Sequence, residues 1–194
     1  MNMDLLQDFK WNFESELEIK NRMLIIKALP HSDYFVDPAN GKKTLNAPYY
    51  HIDVNKDFTL RAKVSHSFKS VYDACALMVM SNETCWVKFC FELTDIGTHT
   101  VVSVVTNGVS DDANGVDIQG NTVYLQIAKK GKLFALHYSL DGNVFKMVRY
   151  FALPINETFK IGFVAQSPLG EGGSFSFEDI DLNYNSIYDL RKGC

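Results

Sequence analysis

The chain has 194 residues, of which 46% are apolar and 22% are charged, and its formal net charge is −4 at pH 7. This composition predicts a globular protein with a sizeable core, and we expect residues 1–194 to form a single domain. An acidic balance argues against a nucleic-acid partner, because phosphate binding needs a basic patch. The sequence has no apolar run of about 18 residues, so we expect no membrane span. The first 20 residues lack the basic start and apolar stretch of a signal peptide.

The cysteines indicate a reducing compartment. Cys75, Cys85, Cys90 and Cys194 show no C-x-x-C spacing. Cys85 and Cys90 are five residues apart and would lie on opposite faces of one strand, which excludes a bridge between them. We therefore expect reduced thiols and a cytoplasmic location, in which the two N-x-T sequons (82–84 and 156–158) are accidental.

Short β-like segments separated by turn signals follow one another along the chain. We predict strands at 58–64, 73–80, 85–93, 99–106, 122–128, 133–139, 144–151, 159–166 and 175–184. Lys129-Lys130-Gly131-Lys132 and Asp141-Gly142-Asn143 are predicted hairpin turns, because glycine supplies the positive φ that tight turns need. Many short strands at regular spacing predict an all-β sandwich of two antiparallel sheets or a barrel.

The segment CWVKFCFEL (85–93) shows which faces such strands have. Its odd positions, from Cys85 to Leu93, are all apolar and predict a core-facing side. The opposite side carries Trp86, Lys88, Cys90 and Glu92. Polar positions recur in 122–128, 133–139 and 144–151, which predicts a concave outer face lined by aromatic, charged and amide side chains. Such a face would form a shallow ligand groove.

Several longer stretches resemble one known family. They are SDYFVDP, LNAPYY, VYDACALMVM, WVKFCFEL, VVSVVTNGVSDDANG, LHYSLDGNVFKMVRYFAL and GFVAQSPLGEG. Together they resemble a domain family of unknown function whose founding relative is a fungal regulator of enolase, and the resemblance covers about residues 11–177. It implies a concanavalin A-like jelly roll and a sugar-related heritage. A similar sandwich is appended to bacterial glycosidases.

The resemblance also implies a set of family positions. The residues present at them are Tyr72, Asp73, Trp86, Lys88, Glu92, Thr106, Ser110, Asp111, Asp112, Ser139, Asp141, Gly142, Arg149, Gln166, Ser167 and Pro168. One position departs from the family pattern, since Phe145 stands where tryptophan is usual. We expect this change to alter packing under the Asp-Gly hairpin and little else.

Lys88 and Glu92 leave two interpretations open. Four residues apart on a strand, they share a face but lie about 13 Å apart at Cα, so each needs a partner on a neighbouring strand, with Gln126, His137 and Arg149 available. They form either an inert cross-strand charge network or the polar floor of a ligand site. In the second interpretation Trp86 and Tyr72 stack on the ligand, Lys88, Arg149 and Glu92 recognise hydroxyl or carboxylate groups, and Gln166 and His137 donate or accept hydrogen bonds.

Catalytic and metal motifs are weak. Glycoside hydrolysis needs two carboxylates flanking one bond, but the 85–93 strand offers only Glu92, and Asp95 is at an odd offset from it. We therefore assign no catalytic residue and no cofactor. Oxygen ligands at Asp111, Asp112, Asn114 and Asp117 would suit calcium, yet the EF-hand spacing fails, and turn-capping is the preferred interpretation of 110–117. We predict no metal site, with calcium at this segment left open.

The sequence therefore favours a cytoplasmic jelly roll that binds a carbohydrate, or a ligand derived from one, on its concave sheet without catalysis. The alternative, which follows from the resemblance, is a protein-interaction module that regulates a metabolic enzyme such as enolase. A glycoside hydrolase or lyase is the third hypothesis.

Overall fold

The computed structural model describes residues 3–194, and within them nearly all regular structure is β. A short 3₁₀ helix spans Met3–Asp8. The strands in chain order are β1 (Lys10–Trp11), β2 (Leu17–Lys20), β3 (Met23–Ala28), β4 (Tyr34–Val36), β5 (Lys43–Leu45), β6 (Tyr49–Val54), β7 (Phe58–His66), β8 (Ala74–Asn82), β9 (Cys85–Leu93), β10 (His99–Asn107), β11 (Val109–Asp117), β12 (Thr122–Lys130), β13 (Leu133–Ser139), β14 (Lys146–Ala152), β15 (Phe159–Gln166) and β16 (Gly173–Asn183).

These strands form two seven-stranded antiparallel sheets that pack face to face. The front sheet has the order β1-β6-β15-β8-β9-β10-β11, and the back sheet has the order β14-β13-β12-β7-β16-β3-β2. β4 and β5 pair with each other as a separate small hairpin. The predicted all-β sandwich of two antiparallel sheets is confirmed.

Strict alternation explains why β9 forms and which of its sides faces the core between the sheets. Cys85, Val87, Phe89 and Phe91 all belong to the core between the two sheets. Side chains of neighbouring β8, including Leu77, join the same core from their own alternate positions. The predicted core face of 85–93 is therefore confirmed.

Two of the predicted turns are also confirmed. β12 and β13 pair from Tyr124–Ser139 to Lys130–Leu133, so the Gly131 segment closes a hairpin. In the next hairpin the Asp141 carboxylate accepts hydrogen bonds from the amides of Asn143 and Val144, at 2.9 and 3.0 Å. Gly142 adopts φ +75°, which an L side chain rarely tolerates.

A second apolar cluster lies on the outer face of the front sheet. The β4–β5 hairpin covers part of this face, and Tyr34 and Val36 pack there against Met78 and Trp86. β8 is consequently buried on both sides, as its almost continuous apolar sequence predicts. The outer face of this sheet is thus only partly open.

The C-terminal segment 185–194 covers part of the outer face of the back sheet. Leu190 packs on Ala128 and Ala135, and the Ile187 amide donates to Thr59 Oγ1 at 3.2 Å. The β4–β5 hairpin and this segment therefore leave the outer face of each sheet only partly open. The hairpin and the C-terminal segment pack on these faces because doing so removes apolar side chains from water.

The acidic segment 110–117 is not a turn, which makes the preferred sequence interpretation wrong. It lies within β11, the edge strand of the front sheet, and pairs with β10 through contacts such as Val104 with Asp112. Polar residues are common on such edges, because they discourage pairing with another chain.

Within residues 3–194, no helix is long and apolar enough to cross a membrane. The four cysteines are free thiols, of which Cys194 alone is exposed.

Candidate functional site

The outer face of the front sheet carries a cavity of about 230 Å³ beside the β4–β5 hairpin. Its walls combine carboxyl, amine, amide and aromatic groups. The lining residues are Asp33, Phe35, Tyr72, Lys88, Glu92, Val104, Asp112 and Gln166.

Strand register explains why these side chains converge. Lys88 lies opposite Val104 on β10, and Val104 lies opposite Asp112 on β11, so the three form one row across the sheet. Glu92 lies on the same face of β9, four residues beyond Lys88. Gln166 at the end of β15 and Asp33 just before β4 complete the polar set.

Lys88 is the hub of a buried hydrogen-bond network. Its side chain is 2% exposed, and its Nζ donates to Asp33 Oδ1 at 2.9 Å and to Gln166 Oε1 at 2.6 Å. The Gln166 amide in turn donates to the Tyr72 carbonyl at 3.2 Å. Burial is the largest single influence and acts to lower the pKa of Lys88, but the charge of Asp33, the hydrogen bond to it and the other neighbouring groups together outweigh burial and raise the pKa. The amine is therefore charged at neutral pH.

Glu92 lies in the same cavity but has no such partners. It is 8% exposed, and its carboxyl takes part in none of the hydrogen bonds or ion pairs found among the residues that the structure describes. Burial raises the pKa of Glu92 to about 8, with the charges of Asp112, Asp33 and Asp95 acting in the same direction and that of Lys88 opposing them. At neutral pH the carboxyl is mostly protonated, and it is one of the groups that line the cavity.

Tyr72 lies at the cavity wall in a strained conformation. Its φ is +68°, which is uncommon for a bulky side chain, and the residue is 36% exposed. The preceding turn is anchored by buried Asp73, which accepts from the Ser70 amide at 2.9 Å and from Ser167 Oγ at 2.6 Å. Strained residues that surrounding contacts hold in place are frequent at binding sites, and here the Asp73 contacts hold the turn that places the Tyr72 ring at the cavity.

Four of the seven sequence-predicted site residues are thus brought together: Tyr72, Lys88, Glu92 and Gln166. Trp86 is on the same strand but is 0% exposed beneath Tyr34, whose ring meets it edge-on at a centroid distance of 6.3 Å. Its indole nitrogen has no hydrogen-bond partner among the described residues. The expectation of an exposed stacking tryptophan is corrected, because the β4–β5 hairpin covers this position.

His137 lies on the other sheet. It is fully buried on the outer face of the back sheet, where Nδ1 meets the Gln126 amide at 3.1 Å and Nε2 meets the Leu190 carbonyl at 2.8 Å. Burial lowers the pKa of His137. Neither His137 nor Gln126 can be a partner of Lys88 or Glu92, because β9 and β12–β13 belong to different sheets.

Arg149 also lies outside the cavity. From β14 of the back sheet it pairs with Asp111 of the front sheet at 2.8 Å and approaches Ser103 Oγ at 3.3 Å. It therefore ties together the edges of the two sheets. The single polar concave face expected from the sequence is in reality divided between two opposite surfaces.

A larger cleft of about 540 Å³ lies between the β12–β13 turn and residues 153–159. Its lysine nearest the core, Lys129, is paired with Asp57 at 3.0 Å. The smaller cavity is the stronger candidate because it alone of the two holds the buried, unpartnered Glu92 and the row of groups around it.

Asp33 and Phe35 line the cavity but were not predicted from the sequence, and Asp112 was assigned to a different role. Asp33 is 55 positions away from Lys88 in the chain, so no local spacing could reveal the pair. Within residues 3–194, no three His, Cys, Asp or Glu side chains are grouped so that they could hold a metal ion.

Comparison with known proteins identifies the fold family. A family model described as a protein of unknown function (DUF1349) matches residues 11–184. Regulation of enolase protein 1 from Saccharomyces cerevisiae is 25% identical over 164 residues, which cover 82% of this chain and 82% of the yeast protein. The predicted family resemblance is confirmed.

Solved structures show the same sandwich. The crystal structure of a functionally unknown protein from Saccharomyces cerevisiae superposes with a TM-score of 0.86 at 21% identity, covering 93% of this chain and 98% of that one. The carbohydrate binding module CBM66 from Bacillus subtilis superposes with a TM-score of 0.59 at 12% identity, covering 90% and 94%. The predicted jelly-roll sandwich fold is confirmed.

Proposed function

The chain belongs to the DUF1349 family of proteins of unknown function, and from this premise we propose that its front-sheet cavity binds a carbohydrate or a small ligand derived from one. Tyr72, Lys88, Glu92 and Gln166 are proposed site residues, together with Asp33, Phe35 and Asp112.

The observation that carries the proposal is the state of Glu92. A carboxyl that lines a cavity without a protein partner can accept a hydrogen bond from a ligand in place of water. Lys88 donates to Gln166, and Gln166 donates to the Tyr72 carbonyl, so these two side chains have the protein partners that a purely structural network requires. Glu92 is 8% exposed, its carboxyl oxygens are not among the fully enclosed polar atoms, and no protein group bonds them, so the carboxyl is available to a ligand that enters the cavity.

The size and walls of the cavity favour one small polar ring. A volume of about 230 Å³ is below the roughly 300–1,000 Å³ typical of drug-sized ligands. Tyr72 and Phe35 provide aromatic area against which the apolar face of a sugar can pack. The carboxyl oxygens of Glu92 and Asp112 suit hydroxyl groups.

The comparison with CBM66 adds support at the level of the fold. That module is a carbohydrate-binding protein of the same architecture, and sandwiches of this kind can carry a ligand site on one sheet. Because a fold hosts many functions, the argument for this chain depends on Glu92 and its neighbours.

Titration calorimetry with neutral and charged monosaccharides tests the proposal. We expect at least one sugar to bind, and we expect Tyr72→Asn to weaken it by about tenfold, or ~1.4 kcal/mol, since asparagine tolerates the positive φ but lacks the ring. Tyr188→Asn is the matched control, because Tyr188 is 92% exposed and lies outside the cavity. A panel that gives no heat and no thermal stabilisation with the unmodified protein would remove the proposal.

A second candidate function follows from the yeast relative, whose name is Regulation of enolase protein 1 and whose similarity covers 82% of each chain. In this candidate the chain is an interaction module that contacts a metabolic enzyme such as enolase.

Purified enolase titrated with this chain tests the second candidate. Specific binding that persists in the Tyr72→Asn variant, together with a change in enolase turnover, would support it. Absence of both effects at micromolar concentrations would count against it.

A further inference from the structure

The lining of the cavity has more acid groups than it can neutralise. Three of its side chains carry carboxyls, from Asp33, Glu92 and Asp112, whereas Lys88 supplies the one amine. Lys88 directs its charge to Asp33 at 2.9 Å and to the Gln166 oxygen at 2.6 Å. Glu92 and Asp112 are therefore left without a bonded cation.

The nearest guanidinium does not correct this imbalance. Arg149 forms its ion pair with Asp111 at 2.8 Å, and Asp111 points away from the cavity face because it neighbours Asp112 on β11. Asp112 is exposed on the edge strand, while Glu92 is buried at 8% exposure. One acid group thus lies at the accessible side of the cavity and one in its interior.

The aromatic walls of the cavity also favour a positively charged ligand. Tyr72 and Phe35 both line the cavity beside the two carboxyls. The faces of aromatic rings attract cations, and sites for organic ammonium groups combine such rings with acid groups. A metal ion fits less well, since the described residues contain no group of three acid, histidine or cysteine side chains able to ligate one.

We propose that the ligand of this cavity carries an ammonium group, and that it is an amino sugar whose nitrogen pairs with Glu92. This inference rests on the proposed function and narrows it to one substrate class. Asp112 and the aromatic rings hold the ligand from the open side, while the ring hydroxyls face Asp33 and Gln166.

Binding of such a ligand should release a proton, and that release can be measured. The groups around Glu92 are Lys88 on its own strand, Asp112 on β11, Asp33 before β4, Asp95 in the following turn and Tyr72 before β8. Because burial raises the pKa of Glu92 to about 8, the carboxyl is protonated in a mildly acidic buffer. An incoming ammonium lowers that pKa, so the Glu92 carboxyl releases its proton to the buffer as the ion pair forms.

The test is calorimetric titration with glucosamine, N-acetylglucosamine and glucose, which share one ring and differ at one position. The titrations are run in mildly acidic buffers of different ionisation enthalpy. We expect glucosamine to bind about tenfold more tightly than the two neutral sugars, a difference of ~1.4 kcal/mol. Its heat alone should depend on the buffer, which reports proton release.

Glu92→Gln is the informative variant, because it keeps the shape of the side chain and removes its charge. It should abolish both the preference for glucosamine and the proton release, so that glucosamine binds no more tightly than glucose. Glu16→Gln is the matched control, since the Glu16 side chain is 79% exposed at a distant edge.

The outcomes separate the inference from the proposed function. Equal affinity for all three sugars would overturn the amino-sugar inference and leave carbohydrate binding in place. Cyclohexylamine binding as tightly as glucosamine would support a cationic ligand and overturn the inference that the ligand is a sugar. No heat with any of these ligands would overturn both proposals.

Discussion

Lys88 places a charged amine on the outer face of β9 with 2% of its side chain exposed. A buried amine is tolerated only where its donors meet acceptors, and here Asp33 and Gln166 supply them. The same contacts hold Asp33 against the sheet and so shape one wall of the cavity. Lys88 therefore affects the candidate site by holding one wall of the cavity in place.

Replacing Lys88 with methionine should destabilise the protein by about 3 kcal/mol, because it leaves Asp33 beside an apolar side chain with no cation. Urea unfolding at pH 7 measures the change. The double variant Lys88→Met, Asp33→Asn should recover part of the loss, since it removes the stranded charge as well. A single variant as stable as the unmodified protein would show that the pair contributes little.

Glu92 should make stability fall with rising pH. Its pKa is about 8 in the folded protein against 4.5 in an unperturbed carboxyl, so between these values the folded state binds more protons than the unfolded state. The free energy of unfolding contributed by Glu92 is then greatest below pH 4.5 and decreases by up to about 1.4 kcal/mol per pH unit until pH 8.

The difference between the unmodified protein and Glu92→Gln isolates this effect. Such a comparison is needed because burial lowers the pKa of His51 to about 4 and that of His66 to about 3, and these groups lose stability in the opposite direction, as pH falls. Denaturation midpoints from pH 5 to 9 provide the measurement. Parallel profiles for the two proteins would contradict a raised pKa at Glu92.

Among the elements, the C-terminal segment 185–194 has a clear structural role. It covers polar groups of the back sheet, with the Gly193 carbonyl accepting from the Gln126 amide at 3.4 Å and the Leu190 carbonyl meeting His137 at 2.8 Å. Arg61 also bonds to Gln126 in the same layer. Without the segment, these groups and the alanines beside them would face water.

Leu190→Ala should cost about 2 kcal/mol, because it removes the main apolar contact of the segment with β12 and β13. Guanidinium unfolding measures it. Tyr188→Ala is the control within the same segment, since Tyr188 is 92% exposed and exposed substitutions change stability by about 0.5 kcal/mol or less. Equal losses in both variants would indicate that the segment does not pack as described.

The β4–β5 hairpin is the element that creates the cavity. The Val36 amide donates to Ser110 Oγ at 2.9 Å, and Ser110 lies 2.9 Å from Thr106 Oγ1, so the hairpin is fastened to β10 and β11. Phe35, between Tyr34 and Val36, is thereby placed at the cavity wall. Thr106 and Ser110, two of the family positions, thus serve to hold this wall.

Across the whole molecule, the strands differ in how far they are buried, and this difference predicts a gradient of local stability. β8 and β9 are central in the front sheet and buried on both faces, whereas β11 and β14 are edge strands with mostly exposed or half-buried residues. Amide hydrogen exchange should be slowest in β8 and β9 and faster by about two orders of magnitude or more in β11 and β14. Uniform protection across the four strands would argue against this layering.

The strands from β7 onward were largely predictable, whereas β1–β6 were not predicted from side-chain alternation. Segments 85–93, 133–139 and 159–166 were assigned to the residue, and the other six predicted strands agree within two residues. Alternation of apolar and polar side chains is a local property that follows from the geometry of an extended chain. β11 was not predicted, because SDDANGVD has no alternation of apolar and polar residues and is rich in the Asp, Asn and Gly residues that are common in turns.

The candidate site was predictable only in part. Lys88, Glu92, Tyr72 and Gln166 were identified and do meet in one cavity, whereas Trp86 is covered and His137 and Arg149 lie elsewhere. The polar faces of β9, β12 and β13 have similar patterns, and no pattern within a strand reveals the sheet to which it belongs. Strand order depends on pairing between distant segments.

The amino-acid sequence by itself determined most of the strands from residue 58 onward, the core-facing side of strands such as β9 and the two predicted hairpin turns, because these follow from side-chain alternation and turn chemistry within a few residues. Tertiary structure alone decided that Asp33 meets Lys88, that a hairpin covers Trp86 and that Glu92 is left without a partner. Those outcomes depend on packing between segments far apart in the chain, where burial and charge are set by neighbours that no local pattern specifies.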